Sequence, residues 1–281
     1  MSTIVGIAGI TGKFAQCLAK KLQAYPNVTI KGFCRSLHKL PQAILGRYNI
    51  EVIQGEFDDE AAVEQFVRGT DIVICCYFGG PDVMDRGQKM LVDACAKEGV
   101  LRYLPSDFAV AGVHVLVGSM METFWSGYFQ VFDAKTQTIS YWGTGDEKWD
   151  LTTYETVAAY TAALAVDKNA SGVFRFRGDC KSVSEIKEIY EDIYQSALHL
   201  KRLGSLDELY TTVKDEFEKN PNNVMAWAPG CFTYWCTNGV ACLGDDLDNM
   251  KYPNIALVDM GGFLKAHKKE DIATADQQLG F

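Results

Sequence analysis

Gly6-Ile-Ala-Gly9-Ile-Thr-Gly12 directly follows an apolar run and opens Lys13–Ala24, whose Phe14, Leu18 and Leu22 fall at helical spacing. Such a junction leaves a chain few folds. Glycines permit a tight strand-to-helix turn and let a bound group approach the backbone with no Cβ in the way. The helix start then offers unpartnered N–H groups and the positive end of its dipole, which suit a phosphate. In this setting Gly6, Gly9, Ile10, Thr11 and Gly12 read as a diphosphate-binding turn. The bland alternative is a plain turn in which the three glycines fall by chance.

The pattern around the turn repeats. Thr3–Ala8, Val28–Phe33, Ile50–Ile53, Asp71–Tyr77 and Leu101–Pro105 read as strands. Lys13–Ala24, Leu40–Gly46, Asp59–Val67 and Arg86–Glu98 read as helices between them. The strands are nearly continuous in apolar residues, as in Ile72-Val-Ile-Cys-Cys-Tyr, which predicts a parallel sheet covered on both faces. Gly112–Gly118 and Val173–Phe176 read as further strands. Three later helices are expected to open on capping boxes: Thr152–Val166 (Thr152 with Glu155), Ser182–Ala197 (Ser182 with Glu185) and Ser205–Glu218 (Ser205 with Glu208). Met225–Leu243, apolar, aromatic and cysteine-rich, is expected to be a buried helix lining a pocket. The predicted class is α/β, with a nucleotide-binding lobe at 1–142. A smaller substrate lobe at 143–281 packs on it, with some segments returning to the sheet.

The second strand sets the nucleotide preference. An acidic residue at its end would hold the ribose hydroxyls of NAD. Phe33-Cys-Arg35-Ser36-Leu-His-Lys39 has no acid there, and a guanidinium fork beside a hydroxyl suits a 2′-phosphate. NADP is therefore the expected cofactor, held by Arg35, Ser36 and Lys39. Otherwise Arg35 and Lys39 are solvated surface charges.

Composition narrows the partners. Lys and Arg total 27 against 36 Asp and Glu, a net charge of −9, which argues against direct nucleic-acid binding. No apolar run approaches the ~18 residues of a membrane span. The start lacks the pattern of a signal peptide, and neither end carries a lipidation box. Nine cysteines include no Cys-x-x-Cys pair and only four histidines are present, so no metal site is expected. Reduced thiols in a cytoplasmic protein are the expectation.

These residues together resemble the NmrA-like family of atypical short-chain dehydrogenases, close to its isoflavone reductase and phenylcoumaran benzylic ether reductase branch. The likeness rests on Gly6–Phe14, the Arg35 site, Gly55-Glu-Phe-Asp58-Asp59 and Gln88–Phe108 with Pro105-Ser-Asp-Phe. It also rests on Leu203-Gly-Ser-Leu-Asp-Glu-Leu and Tyr252-Pro-Asn-Ile, so it spans nearly the whole chain. The resemblance implies an NADP-binding Rossmann-type sheet, a smaller C-terminal substrate lobe and a cleft between them. It implies that Asp58, Phe78 and Gly79 lie along the cofactor, and that the region of Phe124, Trp125 and Tyr128 borders the substrate, although plain core packing accounts for these rings as well. Aromatic walls of that kind suit a small apolar or aromatic substrate.

The pattern breaks after the fifth strand. No lysine occurs between Lys97 and Lys135, so the family's catalytic lysine has no counterpart by position. Neighbouring parallel strands need a crossover of about a dozen residues. Residues 106–112 supply seven, so the usual crossover helix after the fifth strand is missing. Either the sixth strand is placed elsewhere or the chain is a shortened form. A bare sheet face would be covered by a second copy or a regulatory protein partner. Ser106 and Asp107, at the strand end, are the candidate catalytic residues, positioned to orient a substrate carbonyl or the nicotinamide amide. They equally fit a loop that caps the strand. Tyr210 and Lys214 match a Tyr-x-x-x-Lys pair, but sit too late in the chain and read as helix surface. The leading expectation is an NADPH-dependent oxidoreductase, with secondary-metabolite biosynthesis as its setting. The alternative is a non-catalytic NADP(H)-binding redox sensor.

Overall fold

The computed structural model describes residues 2–47, 50–80, 82–105 and 113–277. Five strands, β1 (Thr3–Ala8), β2 (Val28–Cys34), β3 (Glu51–Gln54), β4 (Ile72–Cys75) and β5 (Arg102–Leu104), form one parallel sheet in the order β3-β2-β1-β4-β5. Helices α1 (Lys13–Leu22), α2 (Gln42–Arg47), α3 (Glu60–Val67) and α4 (Gln88–Glu98) connect them. All four residues of β4 are buried, as a strand covered on both faces requires. Asp59 caps α3 by accepting from the Ala62 amide at 3.1 Å. The chain builds β2 and β3 on one side of β1, then crosses to β4 on the other. The strand order therefore reverses at the C-terminal end of β1, where open α/β sheets bind ligands.

β6 (Val113–Leu116) resolves the crossover problem. It is absent from the five-stranded sheet and pairs instead with β11 (Gly172–Arg175), reached after β7 (Ser119–Met120), α5 (Met121–Trp125), β8 (Phe132–Asp133), β9 (Thr138–Trp142), β10 (Trp149–Thr152) and α6 (Tyr154–Val166). Among the described residues β5 and β6 are therefore not neighbours in that sheet, so the rule for adjacent parallel strands does not apply to them.

Two compact units result. One comprises residues within Met1–Val115 and Ala158–Phe174, and the other residues within Leu116–Val157 and Arg175–Leu279. In the first, Arg102 Nη1 donates to the carbonyls of Leu164 (2.8 Å), Ala165 (3.0 Å) and Asp167 at the C-terminal end of α6. A cation there meets both the orphan carbonyls and the negative dipole end.

The second unit also holds β12 (Asp179–Lys181), α7 (Val183–Tyr194), β13 (His199–Gly204), α8 (Leu206–Lys219), α9 (Val224–Thr237) and α10 (Met260–Ala266). Met121, Phe124, Trp125, Trp149, Ile186, Tyr190 and Phe263 build its core. The capping boxes at Ser182 and Ser205 are present as expected. The third box is not seen among the described residues, and a plain cap one residue later stands in its place. Thr152 ends β10 and donates to the Val117 carbonyl at 2.9 Å, while Thr153 accepts from the Thr156 amide. The expected buried helix at Met225–Leu243 is shorter and one-sided. Ala228, Pro229 and Thr233 of α9 are buried, whereas Met225, Phe232 and Trp235 are exposed. Among the described residues no helix is long and apolar enough to cross a membrane.

Replacing Arg102 with methionine keeps the stem and removes the cap. We expect a loss of about 2 kcal/mol, read as a lower urea midpoint at unchanged slope. An unchanged midpoint would remove this role.

Candidate functional site

The chain leaves β1 through Gly9, whose φ is 81° and whose Cβ, if present, would lie 2.8 Å from the Cys76 carbonyl oxygen. Only glycine meets both conditions. The Phe33 carbonyl at the end of β2 anchors the turn by accepting from the amides of Gly9 (2.8 Å) and Ile10 (3.1 Å). The Gly12 amide donates back to the Gly9 carbonyl at 2.9 Å. Gly12 is then the N-cap of α1, with no side chain to satisfy the helix start and no acid in the first turn. The first bond of the helix runs from the Gln16 amide to the Gly12 carbonyl, at 3.0 Å. Among the described residues, no backbone acceptor takes the amides of Thr11, Phe14 and Ala15. Of these, Thr11 and Phe14 keep accessible surface while Ala15 is buried, and bare donors at a dipole end worth roughly half a positive charge suit an anion. A Cβ on Gly12 would meet little but the Gly9 carbonyl at 3.4 Å, so the space before the turn is open.

Two residues of the expected turn stand behind it. Gly6 lies within β1, and a Cβ there would come 2.9 Å from the Phe66 ring, so this glycine serves sheet-to-helix packing. Ile10 is fully buried with its amide already taken by Phe33, and its side chain fills the space over Gly32. Gly9, Thr11 and Gly12 form the open part.

Because the strands are parallel, their C-terminal ends share one sheet edge. Gly9 follows β1, Arg35 and Ser36 follow β2, Asp58 follows β3, and Phe78 with Gly79 follows β4. Arg35 and Lys39 are exposed, and among the described residues neither is paired with an acid. Gln54 Nε2 donates to the Arg35 carbonyl at 3.1 Å and steadies the strand end. Phe78 is 82% exposed, an apolar ring held in water at the same edge. Asp58 is exposed and also borders a groove of about 370 Å³ between α3 and α4, shared with Glu64, Arg86, Lys89 and Lys97. Lys97 there pairs with Glu64, and Lys89 with Asp93.

The candidate catalytic pair Ser106 and Asp107 lies outside the described residues. Of the residues expected to border the substrate, Phe124 and Trp125 are fully buried, packed edge-on at 5.4 Å. They belong to the core because α5 turns both rings inward. Tyr128 keeps accessible surface and stacks at 5.2 Å on Phe129. Tyr210 is exposed on α8 against Tyr234, and Lys214 pairs with Glu218, as a helix surface would. No cluster of three or more His, Cys, Asp or Glu groups among the described residues is arranged as a metal site.

Glu122 escaped the sequence reading, although it is the lone acid in the long apolar stretch from Val113 to Phe132. It is 3% exposed, and both carboxylate oxygens accept from the Tyr154 amide, at 3.1 and 3.2 Å. Burial lifts its carboxyl to about 7, against backbone hydrogen bonds that lower it and with like charge from Glu155 and Asp276 that raises it further.

Residues 9–149 match the NAD(P)H-binding family, and the chain belongs to it. Its fold is that of several solved reductases. AtPrR2 with NADP+ and (+)pinoresinol superposes with a TM-score of 0.77 at 16% identity, covering 95% of this chain and 99% of that one. Isoflavone reductase gives 0.73 at 14%, covering 95% and 99%. The binary complex of leucoanthocyanidin reductase and NADPH from Vitis vinifera gives 0.73 at 18%, covering 98% and 100%. No curated protein matches the sequence significantly.

The raised Glu122 carboxyl binds its proton more tightly in the folded chain than in the unfolded one. Its contribution to stability is therefore whole below the ordinary 4.5 and is lost as pH rises to about 7. Glu122→Gln should melt with wild type in acid, then gain on it across that window and level off above it. A melting difference that stays flat with pH would contradict the assignment.

Proposed function

We propose that the chain is an NADPH-dependent oxidoreductase acting on a small apolar or aromatic substrate. One observation carries the reading: an open, side-chain-free helix start beside a strand end that bears unpaired cations and no acid. The amides of Thr11 and Phe14 are suited to the diphosphate, and Arg35 with Ser36 and Lys39 to a 2′-phosphate. An acid after β2 would repel that phosphate; none is present. Asp58, Phe78 and Gly79, on the same edge, would run along the nucleotide. When bound, NADPH supplies a hydride. The protein's part is to fix the nucleotide's two phosphate groups, so that its reactive ring is held in one place.

The substrate class rests on Tyr128 and the rings around it, and on the (+)pinoresinol held by AtPrR2. Such a substrate fits secondary metabolism and a cytoplasmic enzyme. A second reading is favoured by one observation, the lack of any lysine between Lys97 and Lys135. In it the chain binds NADP(H) without turnover and signals its redox state to a partner protein or a second copy.

Incubation with NADPH and a panel of aromatic enones, following the absorbance of the reduced nicotinamide, separates the two. Substrate-dependent oxidation supports the enzyme, whereas tight binding with no oxidation across the panel favours the sensor. Arg35→Ala should weaken NADPH by about 10- to 100-fold while leaving NADH nearly unchanged. An equal loss for both nucleotides would remove the NADP assignment.

A further inference from the structure

Gln16 is 6% exposed on the first turn of α1, an unusual place for a primary amide. Its Nε2 donates to the Thr11 carbonyl at 2.8 Å, while its Oε1 is buried without a hydrogen-bond partner. Turning the amide over would set two carbonyl oxygens face to face, so this orientation is the one the site permits. A buried, unpartnered acceptor is unfavourable, and an apolar residue of the same size would avoid it. Stability alone therefore does not account for the glutamine.

Its contacts supply a reason. The Gln16 amide donates to the Gly12 carbonyl and its side chain to the Thr11 carbonyl, so one residue holds two successive carbonyls of the turn. The peptide joining Thr11 to Gly12 is pinned at both ends, since its N–H also donates to the Gly9 carbonyl at 2.9 Å. With glycine at 12, that peptide is free to rotate once these two bonds are lost. A flip would set the Thr11 carbonyl against the Gly9 carbonyl and undo the turn that leaves the Thr11 and Phe14 amides open.

We propose that Gln16 is a positioning residue for diphosphate binding. It locks the Thr11–Gly12 peptide and so holds the turn in the one shape that leaves the neighbouring amides of Thr11 and Phe14 open to an anion. This rests on the assignment of the turn to a nucleotide, and it adds a residue that touches no ligand. Preorganisation of this kind raises affinity because the ordering is already complete before binding.

The test pairs Gln16→Met with Gln16→Leu, both helix-compatible and close to glutamine in volume. Calorimetry is run with NADPH and with adenosine 2′-monophosphate, which offers the 2′-phosphate but no diphosphate. We expect NADPH to bind roughly ten-fold more weakly to both variants. The 2′-monophosphate should bind as to wild type, and the thermal midpoint should be unchanged or higher. Wild-type affinity for NADPH in the variants would overturn the proposal. So would an equal loss for both ligands, or a lowered midpoint that accounts for the weaker binding. Failure of the wild-type protein to bind NADPH at all would instead sink the nucleotide assignment, and this inference with it.

Discussion

A Cβ at Gly9 has no room beneath the Cys76 carbonyl, and the backbone there is left-handed. The chain can leave β1 in this way only because the residue is glycine. That single exit fixes the shape of the whole turn. The turn is short enough to hang from the Phe33 carbonyl, the helix begins at a residue with no side chain, and among the described residues no backbone acceptor takes the amides of Thr11 and Phe14. The same carbonyl belongs to the strand that delivers Arg35, so the anchor of the turn also sets where the cation stands. The sheet order then brings the ends of β3 and β4 to the same edge. Local geometry at one residue and the topology of five strands thus converge on one edge, where open amides and an exposed cation suit an anion.

Much of this edge was legible in the sequence, because its causes are local. Apolar runs mark the strands, glycines mark the turn, and the lack of an acid after β2 is a matter of composition. What stayed hidden depends on contacts between distant segments. Thr152 and Thr153 are both plausible helix caps, and only the pairing of β10 with its neighbours decides that Thr152 belongs to the strand. Phe124 and Trp125 look like pocket walls as a cluster of rings, but the inward face of α5 commits both to the core. In α9 apolar residues lie all round, so periodicity could not show that one side stays in water. Gln16 gives no sequence signal at all. Its meaning comes from a carbonyl five residues earlier and from an oxygen with no partner.

The short segment after β5 shows how a rule can hold while its premise fails. A parallel neighbour to β5 does need a long crossover, but among the described residues β6 pairs with β11 and not with β5. Part of α6 and of β11 returns to the first unit, held at one end by Arg102 on the last carbonyls of α6. Each unit is therefore discontinuous in sequence, and a break placed by chain order alone does not describe how contacts are shared.

The central claim is that the bare amides at the start of α1 grip the nucleotide's diphosphate. Backbone amide resonances followed during titration with NADP+ test it most directly. We expect the largest shifts on Thr11 and Phe14, with Arg35 next. Shifts confined to the groove between α3 and α4, with the turn unmoved, would contradict it.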